Sequence, residues 1–317
     1  MRWPTIPGRN HGRPHGLPVP PRQRMFFTAE TQWGKIQGMA NAGINTNHPR
    51  VVRKAFLAIT LTTDFGSADH FVGAMKGVIL SIAPRVRILD ITHEITPYEL
   101  NEAAFVLAQA WHWFPRGTIH IAVVDPGVGS ARRPILVEAA GHRFIGPDNG
   151  VFTMIYNAAP HKVREITNSK LMLPHVSRTF HGRDVFAPAA AHLAKRTPPA
   201  RFGKLVHDFV RSASLAPAQS HPHVWTGRVL KVDRFGNLIT NFHIDRLPEL
   251  RTRPFELRAG GQRIARLAFN YAETEIGEVF TIIGSSGYLE VSANQDSAAR
   301  QLGCSVGAAV ELEIFCH

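Results

Sequence analysis

Short apolar runs alternate with amphipathic segments from residue 57 onwards, and this alternation is the strongest constraint on the fold. The apolar, β-branched runs predict strands at 56–63, 86–95 and 117–125. The segments between them place apolar residues three or four positions apart and predict helices at 67–84 and 99–114. Because parallel strands need a crossover connection, the alternation predicts an α/β domain with a mainly parallel sheet.

Punctuating residues place the ends of these elements. Ser67 is the predicted cap of the first helix and Pro84 closes it, whereas Pro115 stops the second helix. The sequence "PILVEAAGHRFIGPDNG" predicts two strands that turn near Gly141. Residues 186–196 predict a further helix.

The pattern changes after a Pro-, Ser- and His-rich segment that follows this last helix. Short strands separated by turn signals then run to the end of the chain. They predict a smaller, antiparallel, β-barrel-like C-terminal domain. The predicted division is an α/β domain at 57–205, a linker at 206–222 and an all-β domain at 223–317.

The net charge of +12 lies mostly in the N-terminal segment. Residues 1–57 hold nine Lys or Arg and one acidic residue, so they carry +8 of that charge. Residues 1–56 are rich in Pro and Gly without a strand or helix period, which predicts a disordered basic extension. One alternative is that translation starts at Met25 or Met39; another, less favoured because the charge lies outside the predicted domains, is a nucleic-acid-binding arm.

Hydropathy and cysteine content favour a cytoplasmic protein. No apolar run approaches the ~20 residues that cross a bilayer, and the N-terminus lacks the apolar stretch of about 7–15 residues found in signal peptides. The two cysteines, Cys304 and Cys316, have neither Cys-x-x-Cys spacing nor a metal-ligand pattern. We therefore expect a cytoplasmic location, no membrane partner and no bound metal.

The stretch "VVDPGVGSARR" at 123–133 carries the first candidate chemistry. Asp125 ends the third predicted strand, a Pro-Gly-Val-Gly bend follows, and Arg132 comes seven residues after the aspartate. The stretch lacks the lysine of a phosphate-binding loop and the glycine spacing of a dinucleotide-binding loop. The residues alone leave two interpretations open: a solvated turn, or an Asp–Arg pair whose guanidinium favours the ionised carboxylate.

A second polar cluster, "RTFHGRD" at 178–184, comes just before the predicted helix. It contains His181 and Asp184 in a chain that has seventeen histidines, so the histidine alone indicates little. Its interest depends on whether folding brings it to Asp125 and Arg132. The three side chains together would make a candidate site.

Further polar residues end predicted strands or lie in predicted turns. Asp64 ends the first strand and is expected to face the same crevice as Asp125, because ligands bind at the carboxyl ends of parallel strands. Asn149 lies in the turn "PDNG", and the motifs "DRFGN" (233–237) and "GSSGYLEVSAN" (284–294) are also typical of turns. Together these groups suit a ribose, an adenine edge and an amino-acid tail.

Seven motifs in unbroken order resemble those of one protein family. They are "TLTTDFG", "DITHEI", "VVDPGVGSARR", "PDNG", "TFHGRD", "DRFGN" and "SSGYLEVSAN". The family is that of the S-adenosyl-L-methionine (SAM) hydroxide adenosyltransferases, SAM hydrolases related to fluorinase and chlorinase. The resemblance covers roughly residues 57–317, and residues 1–56 have no counterpart in it.

The resemblance implies an enzyme that cleaves SAM to adenosine and L-methionine by hydroxide attack on the 5′ carbon, with water as co-substrate and no cofactor. It implies a homotrimer whose site lies at the subunit interface, between the α/β domain of one chain and the β domain of its neighbour. It also implies a catalytic triad of Asp125, Arg132 and His181. The substrate-binding positions that it implies are Asp64, Tyr98, Asn149, Asp184, Asp233, Asn237, Ser285, Ser286, Tyr288 and Glu290.

Within this resemblance the chain is more similar to the hydrolases than to fluorinase, which has tyrosines at the positions of Asp125 and His181. Either of these two residues could accept the proton of the attacking water, while Arg132 would stabilise the developing hydroxide and orient the carboxylate. The chain departs from the family at Gly284 and Asp296, and its "DRFGN" loop is one residue shorter than that of fluorinase. The alternatives are a SAM-dependent halogenase and a non-catalytic adenosine- or SAM-binding protein.

Overall fold

The computed structural model describes residues 57–315. These residues fall within one compact unit, Lys54–His317. Two β-sheets and the helices packed against them make up this part of the chain. The interpretations of residues 1–56 and of Cys316 lie outside the described residues.

The first sheet contains seven strands within the described range. They are β1 (Ala58–Thr63), β2 (Arg87–Thr92), β3 (Ile119–Val123), β4 (Pro134–Ala139), β5 (His142–Pro147), β6 (His161–Glu165) and β7 (Leu205–Val206). Their order is β2-β1-β3-β5-β4-β6-β7. The strands β2, β1, β3 and β5 are parallel, and β4, β6 and β7 extend the sheet in antiparallel fashion. The predicted α/β domain with a mainly parallel sheet is confirmed.

Five α-helices are present in the same range. They are α1 (Phe71–Ile82), α2 (Leu100–Ala110), α3 (Thr153–Ala158), α4 (Ala187–Ala194) and α5 (Ala298–Leu302). The predicted cap at Ser67 is wrong: residues 67–70 form a bend, and α1 begins after His70, whose side chain makes no capping bond. No described helix has the length and apolar character needed to cross a bilayer.

Helices cover both faces of the first sheet. On one face α1 and α4 pack against a core that includes Ile59, Leu61 and Ile121. On the other face α2 and α3 enclose a second core around Phe144 and Ala122. Parallel strands buried on both faces read as continuous apolar runs, which explains why the sequence pattern identified them.

The second sheet contains nine strands in the described residues. They are β8 (Ala218–His221), β9 (Val224–Val232), β10 (Leu238–His243), β11 (Phe255–Ala259), β12 (Gln262–Ile264), β13 (Leu267–Ala268), β14 (Val279–Ile283), β15 (Tyr288–Ala293) and β16 (Ala309–Ile314). The order is β12-β11-β16-β9-β10-β15-β14-β13, with β8 beside β9. All pairs except β13–β14 are antiparallel, and register shifts within β10 and its partners curl the sheet. The predicted antiparallel, barrel-like second domain is confirmed.

The segment between the two sheets is short. The first sheet ends at Val206 and the second begins at Ala218. Strand β8 therefore falls inside the stretch 206–222 that was predicted as a linker, and it pairs with β9. Part of that stretch belongs to the second sheet.

Side-chain contacts connect helix α2 to the second sheet within this chain. Lys231 of β9 lies 2.6 Å from a carboxylate oxygen of Glu102 on α2, and the glutamate is almost fully buried. The ring of Tyr288 on β15 packs edge-on against Phe105 of α2, with 5.3 Å between the centroids. The second carboxylate oxygen of Glu102 accepts a hydrogen bond from the backbone of Thr96, in the loop after β2.

Candidate active site

Two neighbouring parallel strands bring Asp64 and Asp125 to one cavity. Strands β1 and β3 pair with Thr63 opposite Val123, and the aspartates follow these strands within two residues. The carboxyl ends of parallel strands meet at the same edge of a sheet. Both aspartates accordingly line a cavity of about 300 Å³. Tyr98 and His181 line the same cavity.

Asp125, Arg132 and His181 form one hydrogen-bonded network beside this cavity. Arg132 Nε donates to Asp125 Oδ1 at 3.0 Å, and Arg132 Nη2 donates to Asp125 Oδ2. The same Nη2 lies 2.8 Å from His181 Nδ1. Folding therefore brings together all three residues of the predicted triad.

The three side chains do not face the cavity equally. Asp125 and His181 are among the described residues that line it, and Arg132 is not. The Arg132 side chain is 9% exposed, and its guanidinium lies over the ring of Phe186 at 5.3 Å from the centroid. Arg132 thus orients the other two side chains from behind.

The Pro-Gly-Val-Gly bend returns Arg132 to Asp125 and also packs against the histidine segment. Gly129 has a φ of +77°, and a Cβ at this position would lie 2.2 Å from the carbonyl oxygen of Arg178. No side chain fits there, so glycine permits the close approach. The bend is thereby held against the segment that leads into His181.

The hydrogen bond from Arg132 determines which nitrogen of His181 carries the proton. A guanidinium has donors only, so His181 Nδ1 is the acceptor and a neutral ring carries its proton on Nε2. Burial, and next the positive charge of Arg132, lower the pKa of His181 below its ordinary value of 6.5. The ring is therefore neutral at pH 7, with Nε2–H as its remaining polar group.

A π-helix presents His181 to the cavity. It covers Gly182–Phe186 and runs directly into α4, with the Ala187 N–H bonded to the Gly182 carbonyl five residues earlier. Such turns are rare and occur frequently at functional sites. The sequence predicts a helix only from residue 186, so this turn before it was not expected.

Asp64 fixes the loop that carries Tyr98. Its Oδ2 accepts a hydrogen bond of 3.0 Å from the Tyr98 N–H, and Tyr98 has a φ of +70°, a conformation costing on the order of 1–3 kcal/mol for a non-glycine residue. Burial, with a smaller contribution from the charge of Asp125, raises the pKa of Asp64. A cationic ligand between the two aspartates would stabilise both carboxylates.

An aromatic wall completes the cavity, and the sequence did not reveal its role. Phe65, Phe71 and Phe180 all line the cavity and contact one another, with centroids 5.2–6.0 Å apart. Phe71 carries the helical apolar pattern of α1 and so reads as a core residue. Phe65 and Phe180 neighbour the predicted Asp64 and His181, which is the one signal that could have identified them.

Two predicted binding residues hold backbone next to the site and are not among its lining. Asn149 donates from Nδ2 to the carbonyl of Val124 at 2.9 Å, directly before Asp125. Asp184 is fully buried, and its carboxylate accepts from the backbone of Ser177 at 2.8 Å and from Arg183 at 2.6 Å. Both side chains are therefore hydrogen-bonded to neighbouring groups of the protein.

The remaining predicted positions lie in the second sheet and its turns, away from this cavity. They are Asp233, Asn237, Ser285, Ser286, Tyr288 and Glu290. Asp233 and Asn237 bond each other, with Asp233 Oδ2 accepting from Asn237 Nδ2 at 2.8 Å. Burial and the charge of Asp233 raise the pKa of Glu290 to about 7. None of the six is among the described residues that line the cavity of the same chain.

Named relatives and solved structures match most of this chain. A protein of Salinispora tropica called (R)-S-adenosyl-L-methionine hydrolase is 38% identical over 253 residues, which cover 78% of this chain and 95% of that protein. A hydrolase of the same name from Thermus thermophilus is 37% identical, covering 79% and 97%. A fluorinase of Actinoplanes is 27% identical, covering 80% and 96%. The crystal structure of a conserved protein from Thermotoga maritima, 34% identical, superposes with a TM-score of 0.73 over 80% of this chain and 99% of that one.

Two family models also match, one on each sheet. The model of the SAM hydroxide adenosyltransferase N-terminal domain matches residues 59–203. The model of the corresponding C-terminal domain matches residues 227–311. Together they span well over half of the sequence, and we conclude that this chain belongs to the SAM hydroxide adenosyltransferase family.

Proposed function

We propose that this protein hydrolyses SAM to adenosine and L-methionine in the cavity between Asp64 and Asp125. The observation that carries the proposal is the pairing of Asp125 and His181 at the cavity wall, both held by Arg132. A carboxylate and an imidazole N–H at one wall suit the binding and deprotonation of a water. The hydrolase names of the relatives at 37–38% identity support the same reaction.

The chemistry of SAM explains why a water-binding site is the main requirement. The C5′–S bond breaks with its electron pair going to sulfur, so the sulfonium becomes a neutral thioether and no acid is needed there. The oxygen of water forms the new bond to C5′ and releases one proton. The site must therefore hold a water in line with the C5′–S bond, about 3–3.5 Å from the carbon, and take up that proton.

The proton arrangement assigns different roles to the two cavity-facing groups. His181 Nδ1 is occupied by Arg132, so its Nε2–H would donate to the oxygen of the water. Asp125 has lone pairs left after binding Arg132 and would accept the proton. Arg132 would act as a positioning residue, since its guanidinium contacts both side chains from behind.

We further propose that a homotrimer completes the site. The cavity of about 300 Å³ lies at the lower end of the ~300–1,000 Å³ typical of ligand sites. The second-sheet positions implied by the family resemblance are not part of the cavity in one chain. Contribution of these residues by a neighbouring subunit would supply the missing contacts to adenine and methionine.

Product analysis in ¹⁸O-labelled water, with and without chloride or fluoride, tests the reaction. Hydrolysis at C5′ puts the label in the 5′-hydroxyl of adenosine, and the products are the same with and without halide. A 5′-halo-adenosine would identify a halogenase instead, although the negative charge of Asp125 disfavours a halide in this cavity. SAM binding without any product would show a non-catalytic protein and overturn the proposal.

A further inference from the structure

A side-chain hydrogen bond between the end of β1 and the loop after β2 supports the turn that carries Asp64. The hydroxyl of Thr63, the last residue of β1, lies 2.8 Å from Nδ1 of His93 in the loop after β2. The carbonyl of His93 in turn accepts a 2.8 Å hydrogen bond from the backbone of Gly66. His93 therefore contacts the residues on both sides of Asp64.

The neighbours of His93 and Thr63 indicate which of the two residues donates in this hydrogen bond. His93 Nε2 lies 3.1 Å from Asp90 Oδ1 without hydrogen-bond geometry, and this carboxylate favours an N–H at that nitrogen. In the neutral ring His93 Nδ1 then accepts from the Thr63 hydroxyl. A lone pair of the same hydroxyl accepts from the backbone N–H of Phe65 at 3.3 Å. The imidazole thus orients a hydroxyl that holds the turn.

The hydrogen bond between Thr63 and His93 can affect the cavity only through the turn that carries Asp64. Asp64 and Phe65 line the cavity, whereas Thr63 and His93 are not among the described lining residues. Thr63 is fully buried. The Asp64 carboxylate, once placed, fixes the Tyr98 backbone through their 3.0 Å hydrogen bond. Two walls of the cavity therefore depend on the position of one turn.

We propose that Thr63 and His93 are positioning residues for the substrate, whose mutual hydrogen bond sets the position of the Asp64 carboxylate. The inference rests on the proposed function and adds to it that Asp64, which lines the cavity, binds the ribose of SAM. A ribose contact is present in the bound substrate and in the transition state alike, so its loss raises KM and leaves kcat nearly unchanged.

Thr63→Val tests this with little change of shape. We expect KM for SAM to rise about tenfold, the scale of one lost hydrogen bond to a charged group, with kcat within about twofold of the wild type. Thr63→Ser keeps the hydroxyl and should keep the wild-type KM. A general loss of folding would instead lower kcat and the melting temperature of both variants.

Thr62→Val is the matched control. Thr62 is the preceding residue of β1 and is also fully buried, but its hydroxyl has no hydrogen-bond partner among the described residues. The same chemical change therefore breaks no contact, and KM should stay at the wild-type value. An equal rise in KM for Thr62→Val and Thr63→Val would overturn the proposal.

A double-mutant cycle tests whether Thr63 and His93 act together, and its His93→Phe variant tests the proposal by itself if Thr63→Val fails to fold. His93→Phe keeps a ring and removes both nitrogens, and it should raise KM by a similar factor. The double variant should show no further rise, because both changes remove one contact. Multiplicative effects of the two changes, or a wild-type KM in His93→Phe, would refute the coupling.

The wild-type protein separates this inference from the proposed function. If the wild type releases adenosine and Thr63→Val has an unchanged KM, the positioning inference fails alone. If the wild type binds SAM without turnover, the hydrolase proposal fails. The wild type and Thr63→Val are then compared by their Kd for SAM, measured by calorimetry, instead of by KM. If the wild type neither binds nor cleaves SAM, both are overturned.

Discussion

Arg132 Nη2 lies 2.8 Å from His181 Nδ1, while Nε of the same guanidinium lies 3.0 Å from Asp125 Oδ1. Because a guanidinium only donates, this one side chain determines both the tautomer of the histidine and the orientation of the carboxylate. Within this network, His181 and Asp125 line the cavity, His181 with its Nε2–H donor and Asp125 with its acceptor oxygens. In the proposed mechanism, the oxygen of the attacking water accepts from His181 and one of its protons goes to Asp125.

The first prediction concerns the acceptor. Asp125→Asn keeps the size of the side chain but removes its capacity to take up a proton, so we expect kcat to fall by about 10²–10⁴-fold, the usual contribution of a general base. Adenosine release, followed by chromatography, measures the loss. Asp208→Asn is the control, since the Asp208 side chain is 79% exposed and pairs with Arg133 rather than Arg132. Wild-type kcat in Asp125→Asn would contradict the assignment.

The second prediction concerns the pH dependence of the reaction. The pKa of His181 is lowered from 6.5 by burial and by Arg132, so the ring is neutral above that lowered pKa and gains a proton on Nδ1 below it. That proton would face the N–H of Arg132 and break their hydrogen bond. We therefore expect kcat/KM to be flat near pH 7 and to fall on the acid side with an apparent pKa below 6.5. An acid limb centred above 6.5 would exclude His181 as its source.

The third prediction concerns stability in acid and a buried histidine pair outside the cavity. His120 is fully buried, with Nδ1 2.7 Å from the Thr60 hydroxyl and Nε2 3.2 Å from His142 Nδ1. Burial, followed by the neighbouring His142, lowers the pKa of His120 to about 3. Between that pKa and 6.5 the unfolded chain binds a proton that the folded chain does not. The contribution of His120 to the free energy of unfolding is therefore fully present above pH 6.5 and decreases as the pH falls from 6.5 towards 3.

Urea unfolding between pH 7.5 and pH 5 measures this effect. The contribution of His120 to the slope is at most about 1.4 kcal/mol per pH unit below 6.5. His120→Phe should reduce the slope, and His112→Phe serves as the control for replacing a histidine at an exposed position. Equal slopes in the wild type and in His120→Phe would contradict the prediction.

The fourth prediction tests whether neighbouring subunits share the site. Asp125→Ala disables the cavity of the first domain, and Ser286→Trp places bulk in the β14–β15 turn of the second domain. If a site combines the first domain of one subunit with the second domain of its neighbour, each variant alone is inactive. Unfolding and refolding them together at equal amounts should restore about a quarter of the wild-type activity, as random assortment in a closed ring predicts. No recovery from a mixed trimer would place each site within one chain.

The sequence predicts the first domain well because its signals are strong and local. Buried parallel strands such as β1 and β3 are continuous apolar runs, and α1 shows one apolar face. Strand adjacency then accounts for the meeting of Asp64 and Asp125 at one edge. The cap at Ser67 failed because the bend before α1 depends on a hydrogen bond from Gly66 to His93, which is 27 residues away in sequence.

The candidate site is only partly readable from the sequence, for a related reason. The family resemblance implied the triad of Asp125, Arg132 and His181, but residue type could not distinguish a carboxylate that faces a cavity from one that supports a loop. Asp184 looks equivalent to Asp125 in sequence, yet its oxygens are bound by Ser177 and Arg183. The aromatic wall escaped notice because a phenylalanine has the same apolar signature in a core and beside a ligand.

The π-helix at Gly182–Phe186 makes the spacing of this segment as important as its residue types. One fewer residue would convert the wide turn into a regular α-helical one and rotate His181 by about 100° relative to α4. The histidine would then point away from Arg132 even though every motif residue remained. Insertions and deletions in this turn should therefore be far less tolerated than substitutions, and a relative that keeps the histidine but differs in length here should have lost the water-binding pair.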